Sequence, residues 1–273
     1  MQHFSTSPIE MVASFWRNRA LIAALTKREI LGRYRGSSLG LFWSLFNPIL
    51  MLGVYTFVFS VVFNARWGGH EEGSKTEYAL VLFAGLIVFN VFSECVGRAP
   101  SLILSNVNYV KKVVFPLEVL PWVSMGAALF HSLISIVVWL VFYSVFFGVP
   151  HSTALFLPFV MLPLLMFSMG ISWALASLGV YLRDITQVIG VVITMLMFLS
   201  GIFYSVSSLP TEYQQIMQMN PLVPIIEQAR AVLIWGEWPN YLVLLGYSAG
   251  ALTFSWLGFA WFQKTRKGFA DVL

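Results

Sequence analysis

Six long apolar stretches dominate this sequence and restrict what the chain can fold into. Each reaches roughly the 20 residues that an α-helix needs to cross the hydrocarbon core of a bilayer. Continuous apolar runs also differ from the ten-residue alternating pattern of membrane β-strands. The sequence therefore predicts an all-α integral membrane protein with one domain, residues 1–273. The six predicted transmembrane helices are residues 39–63, 78–97, 117–147, 155–182, 185–205 and 241–262.

The composition agrees with this class. Of the 273 residues, 58% are hydrophobic and 10% are charged, and the mean hydropathy is +0.79. Soluble domains average about 25% charged residues, so the composition excludes an ordinary soluble enzyme or a disordered chain. The single cysteine, Cys95, cannot form a disulfide within the chain.

The positions of the basic residues predict the orientation. With the N-terminus in the cytoplasm, 13 of the 16 Lys and Arg residues fall inside, and only Arg66, Lys75 and Arg230 fall outside. Loops rich in Lys and Arg stay in the cytoplasm, so we expect both termini there. The chain is then a multi-pass protein of the cytoplasmic (inner) membrane.

Three segments between the spans have helical patterns of their own. Residues 8–35 mix apolar and basic residues and predict an amphipathic helix on the inner leaflet, with Arg28, Arg33 and Arg35 facing anionic headgroups. The alternative is a simple orientation signal for the first span. Residues 100–113 predict a short cytoplasmic amphipathic helix, either a docking element or a plain connector. Residues 207–236, broken at Asn220-Pro221, predict a pair of external helices that form either a re-entrant gate or a hairpin without a gating role.

Sites for chemistry are not evident in the sequence. The nearest string to a phosphate-binding loop, GGHEEGSKT at residues 68–76, has the wrong spacing and lies in a predicted external loop. The four histidines are scattered, and no spacing resembles a metal site or a catalytic triad. Glu94, the only acidic residue well inside a span, has Arg98 one helical turn away, and this pair can reduce the cost of inserting the charge.

Small and aromatic residues form stripes along several spans. Gly246 and Gly250 form a GxxxG motif, which normally indicates close helix packing. Ser44, Asn47, Tyr55 and Phe59 share one face of the first span, and this mixed face suits either packing or the wall of a pathway. Aromatic rings can stack on sugars, so the aromatic content of 16% permits a polysaccharide substrate without selecting it.

Four motifs resemble the membrane subunits of ABC-2 polysaccharide exporters, the O-antigen, capsular polysaccharide and teichoic acid permeases. They are KREILGRYRGSSLGLFW at residues 27–43, leading to Asn47-Pro48, and VKKVVFPLEVLP at 110–121, YLRDI at 181–185 and NPLVPI at 220–225. The resemblance covers nearly the whole chain. It implies a permease for lipid-linked polysaccharide, a homodimer paired with two copies of a separate ATPase. The ATPase would bind ATP and Mg, whereas this chain would bind no cofactor, no metal and no nucleic acid, and would contact membrane lipids.

The resemblance also implies roles for particular residues. The helix after the second span would couple to the ATPase, which makes Asn106, Asn108, Tyr109 and Lys111 candidate contacts. Spans one and five would line the translocation path. The candidate sugar contacts there are Tyr55, Phe59, Phe198 and Tyr204. An ion-coupled secondary carrier, a membrane-embedded transferase and an ABC-2 exporter of lipids or drugs remain the alternatives.

Overall fold

The computed structural model describes residues 4–62, 67, 75–111 and 115–273, and these residues are helical without a β-strand. The all-α class is therefore confirmed. The motif-like string at residues 68–74 lies outside the described residues. The α-helices in chain order are α1 (Pro8–Arg17), α2 (Arg19–Arg33), α3 (Phe42–Tyr55), α4 (Lys75–Arg98), α5 (Val107–Lys111), α6 (Leu120–Phe147), α7 (Leu157–Tyr181), α8 (Ile185–Phe198), α9 (Thr211–Gln218), α10 (Leu222–Arg230), α11 (Tyr241–Thr265) and α12 (Phe269–Val272).

Within the described residues, five helical stretches are long and apolar enough to cross a membrane. They are Phe42–Phe59, Thr76–Ser101, Leu117–Phe147, Ser152–Tyr181 and Tyr241–Val272. They coincide with five of the six predicted spans, although residue 63 of the first lies outside the described part. The first stretch continues α3 through a π-helical segment, Thr56–Val62. The stretch that contains α4 is far more buried than the other four, which places α4 at the centre of the bundle.

Helix α8 is shorter than the sequence predicts. It has 14 residues, about 21 Å at 1.5 Å per residue, and ends at Phe198 instead of continuing to residue 205. Gly201 has φ +64°, a left-handed conformation that breaks the helix. The Asn220 side-chain amide donates to the Leu199 carbonyl at 2.9 Å and to Ser200 Oγ at 3.0 Å. A polar side chain from a later segment thus satisfies a freed carbonyl at the end of α8.

Close helix packing occurs at a different pair of glycines from the predicted motif. A Cβ atom on Gly258 of α11 would lie 2.2 Å from the carbonyl oxygen of Gly170 on α7, so the two backbones touch. Around Gly246 and Gly250, a Cβ atom would meet nothing within 4 Å. The GxxxG face of α11 is therefore open in this chain, and α7 packs on α11 further along.

The N-terminal segment, predicted as one helix over residues 8–35, is two helices. Ser7 Oγ accepts from the Glu10 backbone N–H at 3.1 Å and begins α1. Asn18 separates α1 from α2, and its amide donates to the Ser14 carbonyl at 2.8 Å. Helix α2 packs on the first half of α6, where Thr26 lies against Gly126. The Arg35 backbone lies beyond the end of α2.

The segment predicted as a cytoplasmic helix over residues 100–113 is not one continuous helix. It consists of two 3-10 turns, Ala99–Ser101 and Leu104–Asn106, followed by the five-residue α5. Residues 112–113 lie outside the described part. The Pro100 backbone lies against Gly179 of α7, and this contact leaves no room for a Cβ atom. The segment is therefore anchored at its start by backbone packing.

The region predicted to hold two external helices contains α9 and α10, followed by a π-helical segment, Ala231–Trp235. Asn220 Oδ1 accepts from the Leu222 backbone N–H at 3.0 Å, but the N-cap of α10 is Pro221, one residue later than the sequence predicts. Leu222, Ile225 and Ile226 are buried against the bundle. A gating role for these helices stays a prediction.

Candidate functional site

A cluster of charged side chains joins the N-terminal helix α2 to the spans α4 and α6. Arg33 of α2 lies 2.8 Å from Glu94 Oε1 of α4. His131 Nδ1 of α6 lies 3.1 Å from Glu94 Oε2 and 2.9 Å from Arg33 Nη1, and His131 Nε2 lies 3.2 Å from the Tyr34 hydroxyl. Burial raises the pKa of the Tyr34 hydroxyl.

Glu94 is therefore paired mainly with residues of other helices. The predicted partner, Arg98, lies 4.0 Å from Glu94 but makes its closest ion pair with Glu29 of α2. Two arginines and two carboxylates thus form two ion pairs between α2 and α4, which fixes the N-terminal helix to the centre of the bundle. Arg33 thus pairs with Glu94 in this cluster while its side chain stays 40% exposed, and its contact with headgroups stays a prediction.

The predicted coupling residues have different surroundings. The Asn106 amide donates to the Leu102 carbonyl at 2.9 Å, so it is engaged within its own turn. Lys111 donates to the backbone oxygen of Leu273. Asn108 is exposed. Their roles as ATPase contacts stay predictions.

Tyr109 connects the segment of residues 99–111 to α2. Its hydroxyl accepts from Arg28 Nη2 at 2.7 Å, and its ring stacks on Phe115 with centroids 4.2 Å apart and an angle of 10° between the planes. Arg28 is therefore a contact between α2 and this segment, which the amphipathic pattern did not indicate. A movement of Tyr109 can be passed to α2 through Arg28 and to the start of α6 through Phe115.

An aromatic cluster brings together the four candidate sugar contacts. Tyr55 and Phe59 have ring centroids 6.4 Å apart, and Phe59 stacks on Phe203 at 5.5 Å. Phe203 in turn lies 5.3 Å from Phe198, and the Tyr204 hydroxyl donates to the Phe198 carbonyl at 2.8 Å. Phe203, which the sequence analysis did not single out, therefore connects the aromatic residues of α3 to those at the end of α8.

Arg230, which the sequence places among the external charges, is almost fully buried at 1% exposure. Its guanidinium donates to the carbonyls of Val81 at 3.2 Å, Gly201 at 2.9 Å and Ile202 at 2.9 Å. It also lies 4.2 Å from the centre of the Trp67 ring. A Cβ atom on Gly85 would lie 2.8 Å from Arg230 Nη2, so glycine there leaves room for the guanidinium. This side chain holds α10, α4 and the end of α8 together.

Glu118 forms a buried ion pair near the C-terminus and also contacts the N-terminal helix, so it connects the two ends of the chain. Arg266 Nη1 lies 2.6 Å from Glu118 Oε2, and Ser14 Oγ of α1 donates to the other Glu118 oxygen at 3.1 Å. The Arg266 guanidinium also stacks over Phe4, 3.9 Å from the ring centre. The N-terminal helix and the end of α11 therefore lie at the same end of the bundle. Both termini facing the cytoplasm stays a prediction from the positive charges.

These features define a multi-pass helical membrane protein in which polar side chains form contacts between the helices. The sequence profile of the ABC-2 type transporter family matches residues 20–234, about four fifths of the chain. The chain belongs to the ABC-2 type transporter family. It is thus the permease subunit of a transporter.

Curated relatives match along nearly the full length. The O-antigen export system permease protein RfbA of Myxococcus xanthus is 27% identical over 267 residues, 97% of this chain and 100% of the relative. RfbA of Klebsiella pneumoniae is 26% identical over 255 residues, 93% of this chain and 95% of the relative. The polysialic acid transport protein KpsM of Escherichia coli is 24% identical over 253 residues, 87% of this chain and 90% of the relative.

Proposed function

We propose that this chain is the permease subunit of an ABC exporter that moves a lipid-linked polysaccharide, such as an O-antigen, across the cytoplasmic membrane. The observation that carries the proposal is the match, over nearly the whole of both chains, to permeases named for O-antigen export. The family match and the five apolar helical stretches support the same conclusion. An ABC-2 exporter of lipids or drugs is the alternative within the family.

The energy would come from a separate ATPase subunit that binds ATP and Mg, with two copies of it on a homodimer of this chain. The family supports a partner ATPase. A second copy of the chain would cover apolar surface that the single chain leaves open. No residue of α8 is fully buried, and Phe42, Phe57 and Phe198 are each more than half exposed. An apolar helix face of this size suits a second copy as well as lipid.

Two experiments test the export function and the assignment of ATP hydrolysis to a separate subunit. Deleting the gene should leave undecorated cell surfaces and lipid-linked glycan on the inner face of the membrane, because the conduit is missing. The purified chain alone should hydrolyse no more ATP than an empty preparation. Normal surface glycan in the deletion strain would contradict the export role, and robust hydrolysis by the chain alone would contradict a separate ATPase.

Tyr109→Ala is expected to uncouple export from ATP hydrolysis. The change removes the hydrogen bond from Arg28 and a stacked ring pair, a loss of about 1 kcal/mol in folding stability. The complex should keep its ATPase activity while the glycan exported per ATP falls several-fold. The measurement is export and hydrolysis in the reconstituted complex.

The matched control is Phe159→Ala, which removes an aromatic ring that is 67% exposed on α7. It should leave the ratio of export to hydrolysis unchanged. If Tyr109→Ala lowers both rates equally, or neither, the coupling role of this segment is wrong.

A further inference from the structure

A polar cavity of about 480 Å³ lies between α3, α4 and α6, and the charged cluster of Arg33, Glu94 and His131 forms one end of it. The polar residues along its length come from all three spans. They include Ser44, Asn47, Tyr55, Asn90, Glu94 and Ser132. The cavity is therefore bounded by the helices, and Tyr55 connects it to the aromatic cluster of Phe59, Phe203 and Phe198.

The cavity extends deep into the membrane. Ser44, Asn47 and Tyr55 lie on one face of α3 and its continuation, and eleven residues of helix separate the first from the last, a distance of about 16 Å. This is roughly half of the 30 Å hydrocarbon core. Polar groups at such depth cost free energy, and they normally line a pathway or bind a substrate.

Asn90 is the clearest sign that the cavity is built to hold something. It lies on α4, where residues 78–89 and both 91 and 92 are buried, yet Asn90 itself is exposed to the cavity. Neither its amide nor that of Asn47 makes a hydrogen bond to any residue within the described ranges. Ser132 is only 6% exposed, and its hydroxyl has no partner among the described residues.

The unpaired groups indicate the chemistry of the occupant. The two amides offer uncharged donors and acceptors, whereas the charged groups nearby are already paired with each other. Both arginines of the lining are paired with a carboxylate, so an anion would have to displace one of these partners, and a hydrocarbon chain would leave the amides unpaired. A sugar ring presents several hydroxyls to such groups and an apolar face to the Tyr55 ring. A cavity of this volume lies within the usual range for a small ligand and holds roughly one or two sugar rings.

We infer that the cavity between α3, α4 and α6 is a sugar-binding site, in which Asn47 and Asn90 bind hydroxyls of the glycan and Tyr55 contacts a ring face. The inference rests on the proposed export of a polysaccharide. It assigns the sugar contact to a site within one subunit and adds Asn47 and Asn90 to Tyr55, which the family resemblance had already suggested.

The first test replaces each amide by an apolar residue of similar size. Asn90→Leu and Asn47→Leu remove the hydrogen-bonding groups without leaving a new unpaired one, so both variants should fold. Surface glycan, divided by the amount of monodisperse chain in the membrane, should fall about ten-fold for each change. Thr253→Val is the matched control, since it removes one hydroxyl that is exposed on α11 and bonded to its own helix. Its export should stay normal.

The second test detects the contact directly in the complete transporter. A benzophenone amino acid is placed at position 47 or 90 and, as a control, at Val54, an exposed residue on α3 that does not line the cavity. The cells are irradiated during export of their own glycan labelled with a tritiated sugar. Labelled adducts at 47 and 90, at least five-fold above position 54, support the site.

Several outcomes would overturn the site. In the crosslinking test, they are adducts only with phospholipid or with a second copy of the chain, or no labelled adduct at positions 47 and 90. In the first test, the contradicting outcome is normal export by both leucine variants. Each of these leaves the proposed function standing if deletion of the gene abolishes surface glycan. Normal surface glycan after deletion would instead overturn the proposed function.

Discussion

Arg230→Met is expected to be the most destabilising single change in the chain, with a loss of about 3–5 kcal/mol in the free energy of unfolding. Methionine fills much of the same space but donates no hydrogen bond. The carbonyls of Gly201 and Ile202, which lie outside the helices, would then lose this donor in a buried region, and the Val81 carbonyl would keep only its bond within α4. A hydrogen bond from a charged group to a buried acceptor contributes about 1.5–3 kcal/mol, and three are lost together.

The effect is measured by unfolding the purified chain with SDS from mixed micelles. Glu227→Gln is the matched control, because Glu227 contacts Arg230 at 3.2 Å but its side chain is 47% exposed. Replacing this carboxylate should lower the free energy of unfolding by less than about 1 kcal/mol. An Arg230→Met chain as stable as Glu227→Gln would show that Arg230 does not hold α10 to the bundle.

Gly258→Ala is expected to lower the free energy of unfolding by about 3 kcal/mol, the upper end of the usual cost of overpacking. The added methyl group would lie 2.2 Å from the Gly170 carbonyl oxygen, and both groups belong to rigid helix backbones. The helices α7 and α11 must therefore move apart, and the packing between them is lost along their length. The same titration in mixed micelles measures the change.

Gly250→Ala is the matched control on the same helix. A Cβ atom there meets nothing within 4 Å, and alanine favours the helix over glycine, so the chain should be as stable as before or slightly more so. Equal effects of the two alanine substitutions would contradict the packing of α7 on α11 at Gly258.

Some features of this fold follow from the sequence because they depend on neighbouring residues. The long apolar runs predict the spans α4, α6, α7 and α11, since each run alone covers the membrane thickness. The Asn220-Pro221 pair predicts the start of α10 to within one residue, because helix capping is local. The GxxxG motif of α11 shows the limit of this reasoning. It identifies a face that permits close packing, but α7 packs against Gly258 of α11 instead.

The polar contacts could not be predicted in the same way. Arg230 was counted as an external charge, and its carbonyl partners lie 28 to 149 residues away in sequence. Glu94 has a sequence neighbour, Arg98, at helical spacing, but Arg33 and His131 approach it from other helices. The early end of α8 depends on Asn220, which comes 21 residues later than Leu199. Each of these contacts exists only once the helices are packed.

The ion pair of Glu118 and Arg266 also has a consequence for biosynthesis. Arg266 follows Glu118 by 148 residues, so the ribosome has not yet made it when the third span enters the translocon. Until Arg266 is made, Glu118 lies at the membrane surface with Ser14 and water as its partners. The contacts of the N-terminal segment with α11 and Arg266 form only after the last span has been inserted, so the two ends of the polypeptide are joined last.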